Sequence, residues 1–396
     1  MARLRDYRVW PLRVPLVASI DMSFGRLGTR PCLLLQLEDS DGCTGFGEAW
    51  VNFPSWSLVE RAVTLDRVVQ RFVGRTLPPD PQAWIDEVEA GLSIQALQSG
   101  TTIPLRHAVS ALDIALWDLA ARQRSRSLAS LLAGGAPRDR VAVYASGLGP
   151  RDVAAETTAA VAAGHVAVKL RVGFGRDIDR ANLAAARDAA GWDRAIMVDA
   201  NQAFGPKTFR DIEGDFVRAA VAWVEEPLRA DDREGYRQLG SRRVRTRLAG
   251  GENWYGADLS AAIEEGWVQV IQPDVTKAGG ISAVRTAIRL AARAGRTVAL
   301  HVFGSPVGWL ASVALAAAEP GVSWVEMEAQ GAAVWGCGFP QGCFDVVQGT
   351  VAPPVGPGLG ARPQPRLADL LARELRAVVR LPEAGARAEA MEIGQG

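Results

Sequence analysis

The chain has 396 residues, of which 48% are hydrophobic and 22% are charged. This composition is that of a soluble globular protein with one large or two linked domains, and it excludes a disordered or fibrous chain. The formal net charge is zero and acidic and basic residues are interleaved, so nothing favours nucleic acid or an anionic membrane as the partner, and we expect a small molecule.

The amino-terminal stretch MARLRDYRVW lacks the apolar core of a signal sequence. The most apolar stretch, residues 301–318, is interrupted by glycines, a proline and serines, which argues against a membrane span. We therefore expect a cytoplasmic protein.

Residues 1–135 have the pattern of an α+β domain. The first 55 residues alternate apolar and polar side chains around turn signals such as Asp41-Gly42, which predicts a meander containing the run 32–38. Residues 104–122 (PLRHAVSALDIALWDLAAR) carry apolar residues at helical spacing, which predicts an amphipathic core helix. Gly134-Gly135 and Pro137 then mark a domain boundary.

A regular alternation of strands and helices begins near Val141. In the run 166–172 (VAVKLRV), alternate apolar residues share one face, and Lys169 and Arg171 share the other. In a closed barrel the apolar face would contact the outer helices and both cations would point into the barrel mouth. Further strands are predicted at 196–201, 221–226, 248–252, 268–274, 297–301 and 323–328.

Seven polar residues lie near the ends of these successive apolar runs, 22 to 30 residues apart: Lys169, Asp199, Glu225, Glu252, Asp274, His301 and Glu326. That interval is the length of one β/α unit. Because the loops at the carboxyl ends of barrel strands carry the chemistry in such folds, the spacing predicts an active site around a barrel rim.

Three of these residues are carboxylates on successive strands, namely Asp199, Glu225 and Glu252. Unpaired, they would repel one another, and a hard divalent cation resolves the repulsion. An all-oxygen donor set suits Mg²⁺ better than zinc. Alternatively, each carboxylate pairs with an arginine or caps a helix. The sequence Glu225-Glu226-Pro227 leaves open which glutamate binds the metal.

Asp274 and His301 close adjacent predicted strands, so the carboxylate can accept the Nδ1 proton and raise the basicity of Nε2, which predicts an acid/base dyad. Glu326 either donates a hydrogen bond to a substrate oxygen when protonated or pairs with an arginine. The chain has 44 basic residues but only three lysines, Lys169, Lys207 and Lys277, which makes each lysine a functional candidate.

The chain resembles the enolase superfamily, and within it the mandelate racemase subgroup. The motifs that carry the resemblance are VKLR (168–171), VDANQ (198–202), VEEP (224–227), GGENW (250–254), PDVTKAGG (273–280) and HVFG (301–304), with GEAW (47–50), ALDIALWDLA and PGLG (357–360) outside the barrel. The resemblance implies a modified TIM barrel, (β/α)7β, over 139–350, an α+β cap over 1–135, and a return segment with a tail over 351–396. It also implies a homo-oligomer, a dimer or an octamer.

The resemblance implies that Asp199, Glu225 and Glu252 bind Mg²⁺ while a base removes the proton α to a carboxylate, giving an enediolate; this superfamily is itself a standard example of that chemistry. Some members carry a lysine base where this chain has Asp274. Glu326 matches a glutamate that donates a hydrogen bond to the enediolate.

One departure concerns the second barrel strand, where many members carry Lys-x-Lys and this chain has Lys169-Leu170-Arg171. Arginine stays protonated and is a poor base. Arg171 is therefore expected to bind the substrate carboxylate or a hydroxyl, and Lys169 to balance charge on the enediolate. His301 is left as the base.

A single base favours a lyase, an acid-sugar dehydratase that converts a hydroxy acid into a 2-keto-3-deoxy acid. The alternatives are a racemase or epimerase of a 2-hydroxy acid, and a metal-dependent binder of carboxylates without turnover. Asn201 and Lys277 are expected in the substrate site. The loops 19–29 and 47–56 are expected to close over it, with Phe24, Trp50, Phe53 and Trp56 shaping the pocket or simply packing the cap on the barrel.

Overall fold

A computed structural model describes residues 2–54, 56–241, 245–329 and 344–360. Within these residues, no helix combines the length and the apolar character needed to cross a membrane.

The amino-terminal part begins with an antiparallel meander. Its strands are β1 (Leu4–Met22), β2 (Gly25–Asp39) and β3 (Thr44–Ala49), in the order β1-β2-β3. The predicted run 32–38 lies in β2, and Asp41-Gly42 forms the turn between β2 and β3, with Gly42 at φ +79°. The predicted meander is therefore confirmed. The β1–β2 hairpin turns at Ser23 and Phe24, beside the barrel mouth.

Four helices follow the sheet: α1 (Ser57–Gln70), α2 (Gln82–Ser99), α3 (Thr102–Gln123) and α4 (Leu128–Ala133). Helices α1 and α3 pack on the sheet, α2 packs on α3, and α4 packs on α3 and on the barrel helix Pro306–Ala318. The predicted helix 104–122 is α3. It is not amphipathic as predicted, because it lies between the cap sheet and the barrel helices and is buried on nearly every side. Asp113 and Asp118, the acidic residues of the predicted helix, are fully buried and hydrogen-bonded.

In the described residues, eight parallel strands form a closed barrel, because the last strand pairs with the first. The strands are β4 (Val141–Leu148), β5 (Ala167–Arg171), β6 (Ala195–Asp199), β7 (Val221–Glu225), β8 (Leu248–Gly250), β9 (Val270–Ile271), β10 (Thr297–Leu300) and β11 (Val322–Glu328). The intervening helices are α5 (Val153–Ala162), α6 (Arg176–Ala190), α7 (Pro206–Arg218), α8 (Arg233–Gly240), α9 (Ala257–Glu265), α10 (Gly280–Arg293) and α11 (Pro306–Ala318). The predicted (β/α)7β architecture is confirmed.

Strand parity divides the barrel into an interior and an outer layer. Val168 and Leu170 pack outward with the helices, whereas Ala167 packs inside the barrel with Tyr144 and Trp223. Lys169 and Arg171 share the face of Ala167. The parity predicted for this strand is therefore confirmed, and it directs both cations toward the barrel interior and mouth.

A last short strand, β12 (Thr350–Val351), pairs antiparallel with β4. The chain then reaches the cap, where Leu359 N donates to Asp118 Oδ1 at 2.7 Å and Leu128 N donates to Gly358 O at 2.7 Å. The predicted tail from residue 361 onward lies outside the described residues.

Two buried cap carboxylates accept hydrogen bonds from the amino-terminal ends of barrel helices. Glu48 of β3 accepts from Ser305 N and Ser305 Oγ, each at 2.6 Å, and from Gly308 N at 2.7 Å at the start of α11. Asp113 of α3 accepts from Ser282 N at 3.1 Å and Ser282 Oγ at 2.6 Å at the start of α10. These contacts satisfy donors that a helix start otherwise leaves unpaired, and they fix the cap above the barrel mouth.

Candidate active site

A cavity of about 220 Å³ lies at the carboxyl end of the barrel, beneath the cap. The predicted site residues that line it are Lys169, Arg171, Asp199, Asn201, Glu252, Lys277, His301, Glu326, Phe24 and Trp50. Glu225 and Asp274 lie behind this wall, joined to it by hydrogen bonds. The structure thus brings the strand-end residues together at one barrel mouth.

Trp56 is the predicted pocket residue that does not line the cavity. It precedes α1 and is 68% exposed. The cap contributes Phe24, Trp50 and Phe53 instead, with the Phe24 and Phe53 ring centroids 5.2 Å apart in a T-shaped contact. Phe24 is also largely exposed, so it covers the rim of the cavity.

Lys169 is a buried cation held by carboxylates from three other strands. Its Nζ lies 2.7 Å from Glu225 Oε2, 2.8 Å from Glu326 Oε1 and 3.7 Å from Asp199 Oδ2. Burial alone would lower the lysine pKa, but the Glu225 and Glu326 carboxylates outweigh it and hold the pKa well above its ordinary value. Lys169 is therefore positively charged in this arrangement.

The two consecutive glutamates at the carboxyl end of β7, Glu225 and Glu226, differ in what their oxygens contact. Both oxygens of Glu226 accept hydrogen bonds, from Asn253 Nδ2 at 2.8 Å and Gln202 Nε2 at 3.1 Å. Glu225 Oε2 accepts from Lys169 and from Gln272 Nε2, whereas its buried Oε1 has no hydrogen-bond partner in the described residues. Burial raises the pKa of Glu225 to about 8. Glu225 thus has an oxygen available for a further ligand.

Glu252 follows β8 and contacts two cations. Its Oε2 lies 2.8 Å from Lys277 Nζ and 3.0 Å from His301 Nε2. Burial alone would raise the carboxyl pKa, but the charges of His301 and Lys277 outweigh burial and lower the pKa to about 2. Lys277 Nζ also donates to Asn253 Oδ1 at 2.8 Å and lies 4.5 Å from the centroid of the Trp50 ring, a cation–π contact between barrel and cap.

His301 and Asp274 form the predicted pair. His301 Nδ1 lies 2.7 Å from Asp274 Oδ2, and Asp274 Oδ1 accepts from Thr276 N at 2.6 Å and Thr276 Oγ1 at 2.7 Å. Burial lowers the pKa of His301, but Glu252, Glu326 and Asp274 outweigh it and raise the pKa to about 10. The aspartate accepts a hydrogen bond from Nδ1, and Nε2 lies 3.0 Å from Oε2 of Glu252, a residue of the cavity wall.

Glu326 takes a partner that the sequence analysis does not include. Within the described residues it forms an ion pair with Lys169 and none with an arginine, and it accepts hydrogen bonds from Ser146 Oγ and from Val302 N at 3.2 Å. Burial raises its pKa, but the cations Lys169 and His301 reverse the effect and lower it. Barrel closure is the reason, since β11 and β5 both flank β4.

Among the described residues, potential ligand atoms of Glu225, His301 and Glu326 lie within 4.8 Å of one another. This group shares Glu225 with the predicted metal triad. Asp199 and Glu252, the other two members, line the cavity, where each contacts a cationic side chain. Burial raises the pKa of Asp199, and Asn201 Nδ2 donates to Asp199 Oδ2 at 2.9 Å.

Arg171 lies on the cavity wall beyond Lys169. Its Nη1 donates to Gly147 O at 2.6 Å, and burial lowers its pKa. Arg30 of the cap, fully buried, forms an ion pair with Glu328 and stacks on Phe303, with its Cζ 3.9 Å from the ring centroid. Phe303 also faces Arg171, whose Cζ lies 5.8 Å from the same centroid.

Sequence reasoning did not assign a role to Arg30, Glu48, Phe303 or Glu328. Arg30 and Glu48 lie in cap strands, far along the chain from the residues that they contact. Glu328 could have been predicted from the sequence, because it lies two residues after Glu326 in β11 and therefore points to the same, inward-facing side of the strand. Positive φ angles at Asn201 (42°), Gln202 (64°) and Glu226 (38°) also mark the site, since non-glycine residues seldom adopt them.

Comparison with known proteins places this site in a family. Residues 5–133 match the mandelate racemase / muconate lactonizing enzyme N-terminal domain, and residues 152–367 match the domain described as enolase C-terminal domain-like. The relatives are enzymes and include dehydratases, cycloisomerases and epimerases.

The curated relatives that are 30% identical to the chain include enzymes of different activity. A D-galactarolactone cycloisomerase from Agrobacterium fabrum aligns over 76% of this chain and 78% of its own length, and a D-gluconate dehydratase from Thermoproteus tenax over 83% and 67%. A solved racemase from Streptomyces coelicolor with bound magnesium superposes with a TM-score of 0.83 at 25% identity, covering 93% of this chain and 99% of that one. The chain therefore belongs to the mandelate racemase / muconate lactonizing enzyme family of the enolase superfamily.

Proposed function

We propose that the protein is a Mg²⁺-dependent lyase that removes the proton α to a carboxylate and dehydrates a sugar acid to a 2-keto-3-deoxy acid. The observation that carries the proposal is the His301–Asp274 pair, with Nε2 of the histidine facing the cavity. Among the described residues of the cavity we assign the base to His301, because Asp274 holds its Nδ1 and its Nε2 lies 3.0 Å from Glu252, one of the expected metal ligands. A cation that took up the charge of Glu252 would remove the largest cause of the raised histidine pKa.

The residues present fit Mg²⁺. Asp199, Glu225 and Glu252 supply oxygen donors from three successive strand ends, and hard divalent cations prefer such donors. The unpartnered, buried Glu225 Oε1 is an acceptor that a cation would satisfy. Of the two consecutive glutamates, Glu225 is the one with an oxygen that has no partner among the described residues, whereas Asn253 and Gln202 donate to both oxygens of Glu226.

The chemistry divides between the ion and the side chains. When bound, Mg²⁺ neutralises charge on the substrate carboxylate and so makes the α-proton more acidic. His301 Nε2 takes that proton, and Asp274 stabilises the resulting imidazolium through Nδ1. The ammonium of Lys169 stabilises the negative charge that develops on the carboxylate oxygens. His301 then returns the proton to the β-hydroxyl, which leaves as water, and the enol product tautomerises to the keto acid.

Dehydration is favoured over racemisation because racemisation requires a second base on the opposite face of the α carbon. Arg171 occupies the position of the second lysine on β5 and stays protonated. Racemisation or epimerisation of a 2-hydroxy acid is the alternative, with Lys169 as the second base after release from its carboxylates. The dehydratase and epimerase relatives are compatible with either outcome.

The test is incubation of the Mg²⁺-loaded protein with aldonic and aldaric acids in D₂O, followed by mass spectrometry and proton NMR. Loss of water with a new keto-deoxy acid is the expected result. Retained mass with one deuteron at C2 would instead support the epimerase. EDTA treatment and His301→Asn should each abolish turnover, whereas His165→Asn, outside the site, serves as the matched histidine control. Full turnover by His301→Asn would refute the role of His301.

A further inference from the structure

The proposed reaction assigns no substrate contact to the guanidinium of Arg171. It is buried and lines the cavity, yet no carboxylate oxygen of the described residues lies within 4.0 Å of it. The charges beneath it are matched, since Lys169 contacts Glu225 and Glu326, and Lys277 contacts Glu252. Asp199 is the carboxylate with the largest attraction for Arg171, but it lies closer to Lys169, at 3.7 Å, and forms no ion pair with Arg171. A buried guanidinium without an ion pair is costly, so a site that retains one can accommodate an anionic ligand.

The residues around Arg171 leave its guanidinium without an ion pair. Glu328 also attracts Arg171, but it is already ion-paired with the buried Arg30. Phe303 lies against both guanidiniums. A Cβ at Gly147 would lie 3.0 Å from Arg171 Nη2, and the φ of Gly147 is +90°, so a glycine there lets the guanidinium sit close to β4. Arg171 is thus held in place by neutral contacts.

Position along the strand indicates which part of a substrate Arg171 meets. Arg171 lies two residues beyond Lys169 on the same face of β5, which places its Cα about 6 to 7 Å farther along the strand, toward the barrel mouth. In the proposed reaction the reacting carboxylate of the substrate lies beside Lys169 and the strand-end carboxylates, deeper in the barrel than Arg171. A group at the distal end of a short sugar acid would reach the level of Arg171.

We propose that Arg171 is a specificity-determining residue that binds a second, distal carboxylate, so that the substrates are dicarboxylic sugar acids. The planar guanidinium presents paired N–H donors that match a carboxylate, which a terminal hydroxymethyl group does not satisfy. This inference rests on the proposed function for the placement of the reacting end.

The test compares acid pairs of identical configuration that differ at C6 alone: galactarate with galactonate, glucarate with gluconate, and mannarate with mannonate. Binding is measured by calorimetry on the Mg²⁺-loaded His301→Asn protein, so that no turnover interferes. In at least one pair we expect the diacid to bind ten or more times as tightly. Arg171→Gln should reduce the preference to less than threefold, and Arg171→Lys should retain part of it. The matched control is Arg210→Gln, an exposed arginine of α7, which should leave the preference unchanged.

Equal affinities within every pair, no binding by any pair, or a preference that survives Arg171→Gln would overturn the inference. Different results would contradict the proposed function and this inference. If the wild-type protein binds diacids preferentially but neither releases water nor exchanges deuterium, the inference stands and dehydration is wrong. If it dehydrates the monoacids as efficiently as the diacids, dehydration stands and the inference is wrong.

Discussion

Glu48→Gln gives a sharp test of how the cap is held on the barrel. Burial raises the pKa of Glu48 from 4.5 to about 7, although Ser305 and Gly308 donate three hydrogen bonds to it. A carboxyl whose pKa is higher in the folded state binds more protons there than in the unfolded chain. Its contribution to stability is therefore fully present below pH 4.5 and is lost as the pH rises through 7.

The size of this pH-dependent contribution to stability follows from the pKa shift of Glu48. One pKa unit corresponds to about 1.4 kcal/mol, so a shift from 4.5 to about 7 corresponds to roughly 3 kcal/mol. Glutamine cannot titrate. The free energy of unfolding of the wild type minus that of Glu48→Gln should therefore fall by about 3 kcal/mol between acidic and mildly alkaline pH.

The assay is urea unfolding followed by circular dichroism at a series of pH values, with EDTA present for both proteins. Taking the difference between the two proteins cancels every other titrating group. Glu264→Gln, at an exposed position on α9, is the matched control and should show no such trend. A difference that stays constant, or that grows as the pH rises, would refute the reasoning, because it would mean that the helix amides hold Glu48 ionised.

Three further predictions concern the site and its support. Glu225→Gln should weaken Mg²⁺ binding at least about tenfold by calorimetry, and equal losses in Glu225→Gln and Glu226→Gln would contradict the assignment of Glu225. Asp274→Asn should lower kcat by about 10²- to 10⁴-fold through the wrong histidine tautomer, with unchanged Mg²⁺ affinity; an unchanged kcat would count against the pair. Gly280→Ala places a Cβ 2.3 Å from Asp113 Oδ2 at φ +89° and should destabilise the protein by about 2 kcal/mol or more, which an unchanged Tm would contradict.

The barrel and most of its inner residues could be predicted because their signals are local. Strand parity directs Lys169 and Arg171 inward, and a polar residue closing an apolar strand lies at the mouth wherever neighbouring strands are placed. Strand lengths were predicted less well, since β8 and β9 end before Glu252 and Asp274, and both residues lie in the loops that follow.

The partners of these residues could not be predicted, because they depend on contacts between distant parts of the chain. Barrel closure sets Glu326 beside Lys169, and cap docking brings Arg30 onto Phe303. The exposure of Trp56 likewise depends on how α1 packs, since aromatic character alone does not distinguish a pocket wall from a surface position.

The return of the chain to the cap has a consequence for biosynthesis. The buried carboxylate of Asp118 accepts from Leu359 N, and the N–H of Leu128 finds its acceptor at Gly358. Domains generally fold in order as the chain is made. Here the first-made part of the molecule completes its buried hydrogen bonds only after residues 358 and 359 have left the ribosome, so we expect its final packing to be set after the barrel has been synthesised.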